Sequence, residues 1–317
     1  MGLVGAVGGI VGCTSTGGRG STDPLRLDPS VSPPPSTSPW GVALPKPQPW
    51  APSANDVAAD AKARAVRLVE TAATWESGNG GFQNARRRLN ESGFDGDLVD
   101  DLGSVLVDGV ESVARVVVAQ YGGLLADSAS VLVVVDQWVL RRDGRIRAGG
   151  TTLDIRLVVD EPEWAVTVVR PARPGRAVGG LSRAARRLLA STRVSLPEAA
   201  ASDIRAGEIN DVVLNALHSL SERRHLDVSV LRSGHPVWVF GTDRVSNHTE
   251  GRAVDVWALE GRPIVDMRVA PELTEFMKEA SEVGAYQVGG PTDLDGGDTV
   301  YFSDDTHQDH IHLGFPT

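Results

Sequence analysis

Apolar and polar residues alternate in the middle of the chain with the period of β-strands. Polar residues alternate with Thr151, Leu153, Ile155 and Leu157, which is typical of a strand with one buried face. Short polar segments at 142–144 and 161–163 separate three such runs and predict an antiparallel meander. The three predicted strands are Val131–Leu140, Thr151–Val159 and Trp164–Arg170.

Two helices are predicted ahead of these strands. Ala58–Glu70 is rich in Ala and Arg, which both favour helix. Val99–Val118 is aliphatic with scattered acidic residues and is also predicted to be helical, with interruptions at Gly103 and Gly109. Residues 55–170 are therefore expected to form a separate N-terminal α+β domain. Its order of elements resembles that of the cone-shaped nuclear-transport-factor-like fold.

A second α+β domain is predicted at residues 181–317, after a short linker at 171–180 that contains Pro and Gly. Between Ile209 and Leu220 the apolar residues recur at i, i+3, i+4 and i+7, as on one face of a helix. The other predicted elements are strands at Leu226–Val230, Gly251–Leu259 and His310–Phe315 and a helix at Pro271–Val283. Because the linker has little to bury, residues 175–317 are expected to fold and to bind metal on their own.

The first 54 residues have the pattern of an export signal followed by a tether. Residues 1–13 are apolar and small and end in Ile-Val-Gly-Cys, which resembles a bacterial lipobox, although no Lys or Arg precedes Arg19. Residues 14–54 are rich in Pro, Ser and Thr and predict an extended linker. We therefore expect an exported protein of the cell envelope, anchored to the outer face of the membrane through a lipid on Cys13.

Composition narrows the classes of partner. The formal net charge is -10 and the sequence pI is about 5.2, which argues against non-specific binding to nucleic acid. Cys13 is the single cysteine, so an intrachain disulfide is excluded.

Histidines and one aspartate near the C-terminus stand at spacings that suit a metal. In the strand predicted at Gly251–Leu259, Asp255 shares a face with small Ala253, and a turn at Gly251 brings His248 towards it. His310 and His312 share a face in the last strand. Two imidazoles and a carboxylate suit Zn²⁺ and leave a fourth position open for water.

These residues match a known pattern at every fixed position. Ser246, His248, Gly251, Ala253 and Asp255 fit SxHxxGxAxD, and His310-Ile311-His312 supplies the HxH partner. Together they resemble the zinc metallopeptidase superfamily of D-Ala-D-Ala carboxypeptidases and dipeptidases, lysostaphin-type endopeptidases and the hedgehog signalling domain. The resemblance covers about residues 205–317. It implies a small antiparallel sheet with flanking helices and the zinc ligands His248, Asp255 and His312.

The last histidines resemble one branch of this superfamily more closely. His307, His310 and His312 fit HxxHxH, as in the penicillin-insensitive murein endopeptidases. Carboxypeptidase relatives place a glutamate three residues before the last ligand, where this chain has the shorter Asp309. We therefore expect the general base to be His307 or His310 first, and then Asp309. Arg232, after the strand at 226–230, is assigned the stabilisation of the developing oxyanion by the same resemblance.

The sequence thus predicts a zinc-dependent hydrolase that cuts peptidoglycan stem-peptide or crosslink bonds, as a carboxypeptidase or an endopeptidase. The alternative is a zinc-containing, wall-binding lipoprotein module without turnover, because the hedgehog relative shows that this scaffold need not hydrolyse anything.

Overall fold

A computed structural model describes residues 43–297 and 299–316, and within them each half of the chain builds its own hydrophobic core. The expectations about Cys13 and the lipobox lie outside the described residues. Residues 43–54 contain no helix or strand, yet Trp50 packs partly against the first core. None of the helices in the described part of the chain is long and apolar enough to cross a membrane.

The N-terminal half packs helices on a four-stranded antiparallel sheet of order β1-β2-β3-β4. The strands predicted in the middle of the chain are confirmed as β2, β3 and β4. The elements are α1 (Ala59–Ala73), α2 (Phe82–Glu91), a 3₁₀ helix (Gly96–Asp101), β1 (Glu111–Leu124), β2 (Ser128–Leu140), β3 (Ile146–Asp160) and β4 (Glu163–Pro171).

The helix predicted at Val99–Val118 is wrong. Only its first residues are helical, in the 3₁₀ turn, and the valine-rich part belongs to β1. Valine loses side-chain freedom in a helix but packs well on a pleated sheet. Between Glu111 and Val118, buried residues alternate with more exposed ones, as a strand with one covered face requires.

The C-terminal half is built on a mixed sheet of order β10-β9-β11-β7-β6-β5, with β8 beside β7. The strands predicted there are confirmed as β6, β7 and β11, and the predicted helices as α5 and α6. The elements are α3 (Arg183–Leu189), β5 (Val194–Ser195), α4 (Glu198–Arg205), α5 (Asp211–Ser221), β6 (Leu226–Val230), β7 (Ala253–Leu259), β8 (Arg262–Pro263), α6 (Pro271–Glu282), β9 (Gln287–Gly289), β10 (Tyr301–Phe302) and β11 (Ile311–Gly314). Both halves therefore belong to the α+β class.

Buried polar contacts join the two halves, which belong to one compact unit. Gln120 Nε2 in β1 donates to Asp255 Oδ2 in β7 at 2.7 Å, and the Tyr121 amide donates to Asp309 Oδ2 at 3.0 Å. These contacts argue against the expectation that residues 175–317 are self-sufficient, because removing the N-terminal half would leave buried carboxylates without these partners.

Candidate metal centre

Two neighbouring strands bring a carboxylate and an imidazole onto one face of the second sheet. β7 and β11 pair antiparallel, and His312 stands directly opposite Asp255 in their register. Directly opposed residues point to the same face, so the strand pairing itself brings the two side chains together. The alternate residues of both strands are fully buried in the core: Val254, Val256, Ile311 and Leu313.

His248 reaches the same point from the turn that precedes β7. Gly251 has a φ of +67°, and a Cβ there would lie 2.1 Å from the carbonyl oxygen of Glu208, so the turn requires glycine. The Gly251 amide donates to the His248 carbonyl at 3.0 Å and closes the turn. Ala253 is fully buried at the start of β7, where a larger side chain would have no room.

Three potential ligand atoms form a nearly equilateral triangle. His248 Nε2 lies 3.1 Å from Asp255 Oδ1 and 3.1 Å from His312 Nδ1, and the last two atoms are 3.0 Å apart. In a tetrahedral zinc site with ligands at about 2.0–2.1 Å, the ligand atoms lie about 3.3 Å from one another. The donor set and its spacing therefore fit one divalent cation held by three protein ligands.

The protonation states also suit a cation. His248 Nδ1–H donates to the Leu231 carbonyl at 2.7 Å, which leaves the Nε2 lone pair free to ligate. Burial lowers the pKa of His312 to about 4, so this imidazole is neutral at pH 7. Burial alone would raise the pKa of Asp255, but the imidazoles of His248 and His310 hold it well below its usual range. An ionised carboxylate and neutral imidazoles are the ligating forms.

His235, to which the sequence pattern assigns no role, also lies at this centre. One ligand atom each of His235, His248 and Asp255 lies within 4.8 Å of the others. The His235 ring stacks on that of His248 with centroids 3.9 Å apart and planes 17° apart, and its Nδ1 lies 2.9 Å from the Pro236 carbonyl. The shorter distances to His312 make that residue the better third ligand and His235 a packing partner of His248.

The two remaining histidines of the tail occupy different environments. His307 lies in the 3₁₀ turn Asp305–Gln308, where its Nδ1–H donates to Asp304 Oδ1 at 2.7 Å and its side chain is 16% exposed. His310 is buried, and its Nε2 lies 3.8 Å from Asp255 Oδ2. Both line the cleft beside His312, but His307 is the more accessible of the two.

Asp309 is turned away from the three potential ligands. Its Oδ1 accepts from His310 Nδ1–H at 2.6 Å, and its Oδ2 lies 2.6 Å from Lys62 Nζ. The Tyr121 amide donates to the same oxygen. Burial would raise the pKa of Asp309, but Lys62 and His310 hold it below its usual range. Both of its carboxylate oxygens are thus engaged in structural contacts.

Arg232 lies outside the cleft. Its guanidinium donates through Nη1 to Glu208 Oε2 at 2.8 Å and through Nε to the Thr249 carbonyl at 3.2 Å. Its side chain borders a neighbouring depression instead. In this arrangement the guanidinium contacts Glu208 and Thr249 and does not line the cleft beside His312.

A cleft of about 660 Å³ opens above the three potential ligands. His312 lines its floor, and His248 and Asp255 lie fully buried behind it. One wall comes from the N-terminal half, at residues 121–125 of β1 and the following turn. The exposed Arg244 also lines the cleft.

Comparison with known proteins assigns no family. No protein-family model matches the chain, and no curated protein matches it. Among solved structures, the chain is similar to an NTF2-like superfamily protein from Salmonella enterica subsp. enterica serovar Typhimurium str. LT2, at 12% identity and a TM-score of 0.21. That match covers 26% of this chain and 58% of the other. Similarity at that level carries no argument about function.

Proposed function

We propose that the chain is an exported zinc metallopeptidase that hydrolyses stem-peptide or crosslink bonds of peptidoglycan. The observation that carries the proposal is the triangle of His248, Asp255 and His312, with edges of 3.0–3.1 Å at the floor of an open cleft. A structural zinc site is closed by four protein ligands, whereas three ligands facing a cleft suit catalysis.

Bound there, Zn²⁺ would lower the pKa of a water molecule and polarise the scissile carbonyl. His307 would accept a proton at Nε2 and return it to the leaving amine, and the Nδ1–H bond to Asp304 supports this role because it leaves Nε2 free. His310 is the second candidate base, and Asp309 orients it through Nδ1. The exposed guanidinium of Arg244 in the cleft suits a substrate that carries carboxylates, as stem peptides do.

The proposal also includes the fold of each half and the location of the chain in the cell envelope. The C-terminal half is proposed to be a hedgehog- or DD-peptidase-like domain, and the N-terminal half a cone-shaped nuclear-transport-factor-like domain. In the N-terminal half, helices pack on a four-stranded antiparallel meander, which supports the nuclear-transport-factor-like fold. The Cys13 lipobox supports a lipid anchor in the cell envelope.

Hydrolysis should depend on the metal. The purified chain should cleave muropeptides, lose that activity when a chelator removes Zn²⁺, and regain it when Zn²⁺ is restored, with the products identified by mass spectrometry. Cleavage that persists after metal analysis shows no zinc would contradict the proposal.

Anchoring should depend on Cys13. Expressed in a bacterium with its own N-terminus, the chain should partition into the detergent phase, whereas Cys13→Ser should be released or stay unprocessed. Thr14→Ser is the matched control and should partition like the wild type. Equal partitioning of the Cys13 and Thr14 variants would remove the lipid anchor from the proposal.

The second candidate function is a zinc-containing, wall-binding module without turnover. One observation favours it: Asp309, at the position where carboxypeptidase relatives have a glutamate, is engaged by Lys62 and His310. Stoichiometric zinc together with intact muropeptides after incubation would select this function.

A further inference from the structure

The N-terminal half reaches the metal centre through Gln120. This residue of β1 is fully buried, and its Nε2 lies 2.7 Å from Asp255 Oδ2. A carboxylate only accepts hydrogen bonds, so the atom facing it must be the amide nitrogen. Oδ1 of the same carboxylate faces His248 and His312. Gln120 therefore holds the one oxygen of Asp255 that is not directed at the metal position.

The other end of Gln120 has no compensating contact. Its Oε1 is buried and finds no hydrogen-bond partner among the described residues. A buried carbonyl without a partner destabilises the folded chain, and an apolar residue at this position of the sheet would avoid that cost. The side chain of Gln120 hydrogen-bonds to Asp255, a proposed metal ligand, and this indicates a role in the site rather than in stabilising the fold.

A second contact from the N-terminal half supports the same side of the centre. Lys62 of α1 is buried and forms ion pairs with Asp56 and Asp309. Asp309 in turn accepts from His310, whose Nε2 faces Asp255 Oδ2 at 3.8 Å. Asp255 Oδ2 is thus bordered by Gln120 at 2.7 Å and by His310 at 3.8 Å, and Asp309 links His310 to Lys62 of the N-terminal half.

We propose that Gln120 is a positioning residue of the metal centre, so that the N-terminal half completes the site. It fixes the rotation of the Asp255 carboxylate and keeps Oδ1 in the plane of the triangle. Loss of a residue that hydrogen-bonds to a metal ligand and orients it typically lowers metal affinity by about 10–100-fold. The inference rests on the proposed metal site but not on the proposed hydrolysis.

The test compares two buried glutamines in the full chain. Gln120→Met keeps the length and bulk of the side chain and removes the N–H donor. The control is Gln137→Met in the adjacent strand β2, where Nε2 donates to the carbonyls of Ala73 and Val105, far along the sheet from Asp255. Zn²⁺ affinity is measured by competition with a chelator, and the geometry by the visible spectrum of the Co²⁺-loaded protein.

Gln120→Met should bind Zn²⁺ about 10–100-fold more weakly and shift the Co²⁺ bands. Gln137→Met should lower the melting temperature but leave affinity and spectrum as in the wild type. Gln120→Asn withdraws the amide by one methylene and should also weaken binding, which keeps the test open if the Met variant does not fold. Wild-type affinity and spectrum in the Gln120 variants, or an equal loss in Gln137→Met, would overturn the proposal. A protein that binds zinc but hydrolyses nothing would overturn only the proposed function, since both readouts measure binding.

Discussion

Replacing His312 with alanine should remove stoichiometric zinc from the chain, and His248→Ala and Asp255→Ala should do the same. Each of the three supplies one corner of the triangle, and two protein ligands hold Zn²⁺ far more weakly than three. The loss should be visible by metal analysis after dialysis against metal-free buffer, without any assay of activity.

A matched control separates ligation from general loss of a histidine. His225 lies outside the cleft, where its Nε2 meets Ser195 Oγ at 2.7 Å, and His225→Ala should retain one zinc per chain. His235→Ala tests the other possible ligand set, because His235 stacks on His248 within reach of Asp255. Zinc retained in His312→Ala but lost in His235→Ala would show that His235, and not His312, is the third ligand.

The short-range part of the site could be predicted from the sequence because strand geometry fixes it. The register of β7 with β11 sets His312 opposite Asp255, and His310, directly before β11, faces the other oxygen of the same carboxylate. The need for glycine at 251 follows from a left-handed turn, which a spacing pattern can indicate. Local chemistry and local periodicity were enough for these residues.

The long-range part could not be predicted, because no local pattern encodes which face of the first half packs on the second. Gln120 lies just after Val118, where the wrongly predicted helix ends, and 135 positions separate it from Asp255 along the chain. Lys62 looks like one more basic residue on an amphipathic helix until its partner Asp309 is known. Helix α2 is missed for a different reason, since only two of its residues are buried and its apolar pattern is weak.

The burial of Asp309 changes how its variants should be interpreted. Truncating it would leave Lys62 with Asp56 alone in a buried environment, and breaking one side of a buried ion pair costs about 3–5 kcal/mol. A loss of activity in Asp309→Ala would therefore report loss of structure as readily as loss of a base. Asp309→Asn, which keeps the volume, is the better variant, with the melting temperature measured alongside the rate.

His307→Ala should keep its zinc and lose about 100-fold or more in turnover on muropeptides, since loss of a general base typically costs about 10²–10⁴-fold. His307 is more accessible than His310, and its Nδ1–H donates to Asp304, so that Nε2 is the free nitrogen. His310→Ala should also keep zinc. It should slow turnover less than His307→Ala does, because the His310 ring is buried between Asp309 and Asp255.

Metal content and rate together decide between the candidate bases. A base variant retains zinc and loses rate, whereas a ligand variant loses both, so the zinc-loaded fraction must be measured on the same samples as the turnover. Asp304→Asn is the matched variant, because it weakens the hydrogen bond to His307 Nδ1 and keeps the imidazole. Its turnover should fall less than that of His307→Ala. Wild-type rates in both His307→Ala and His310→Ala, with a folded but inactive Asp309→Asn, would make Asp309 the base. That result would require Asp309 to leave Lys62 in the working enzyme and would move the chain towards the carboxypeptidase branch.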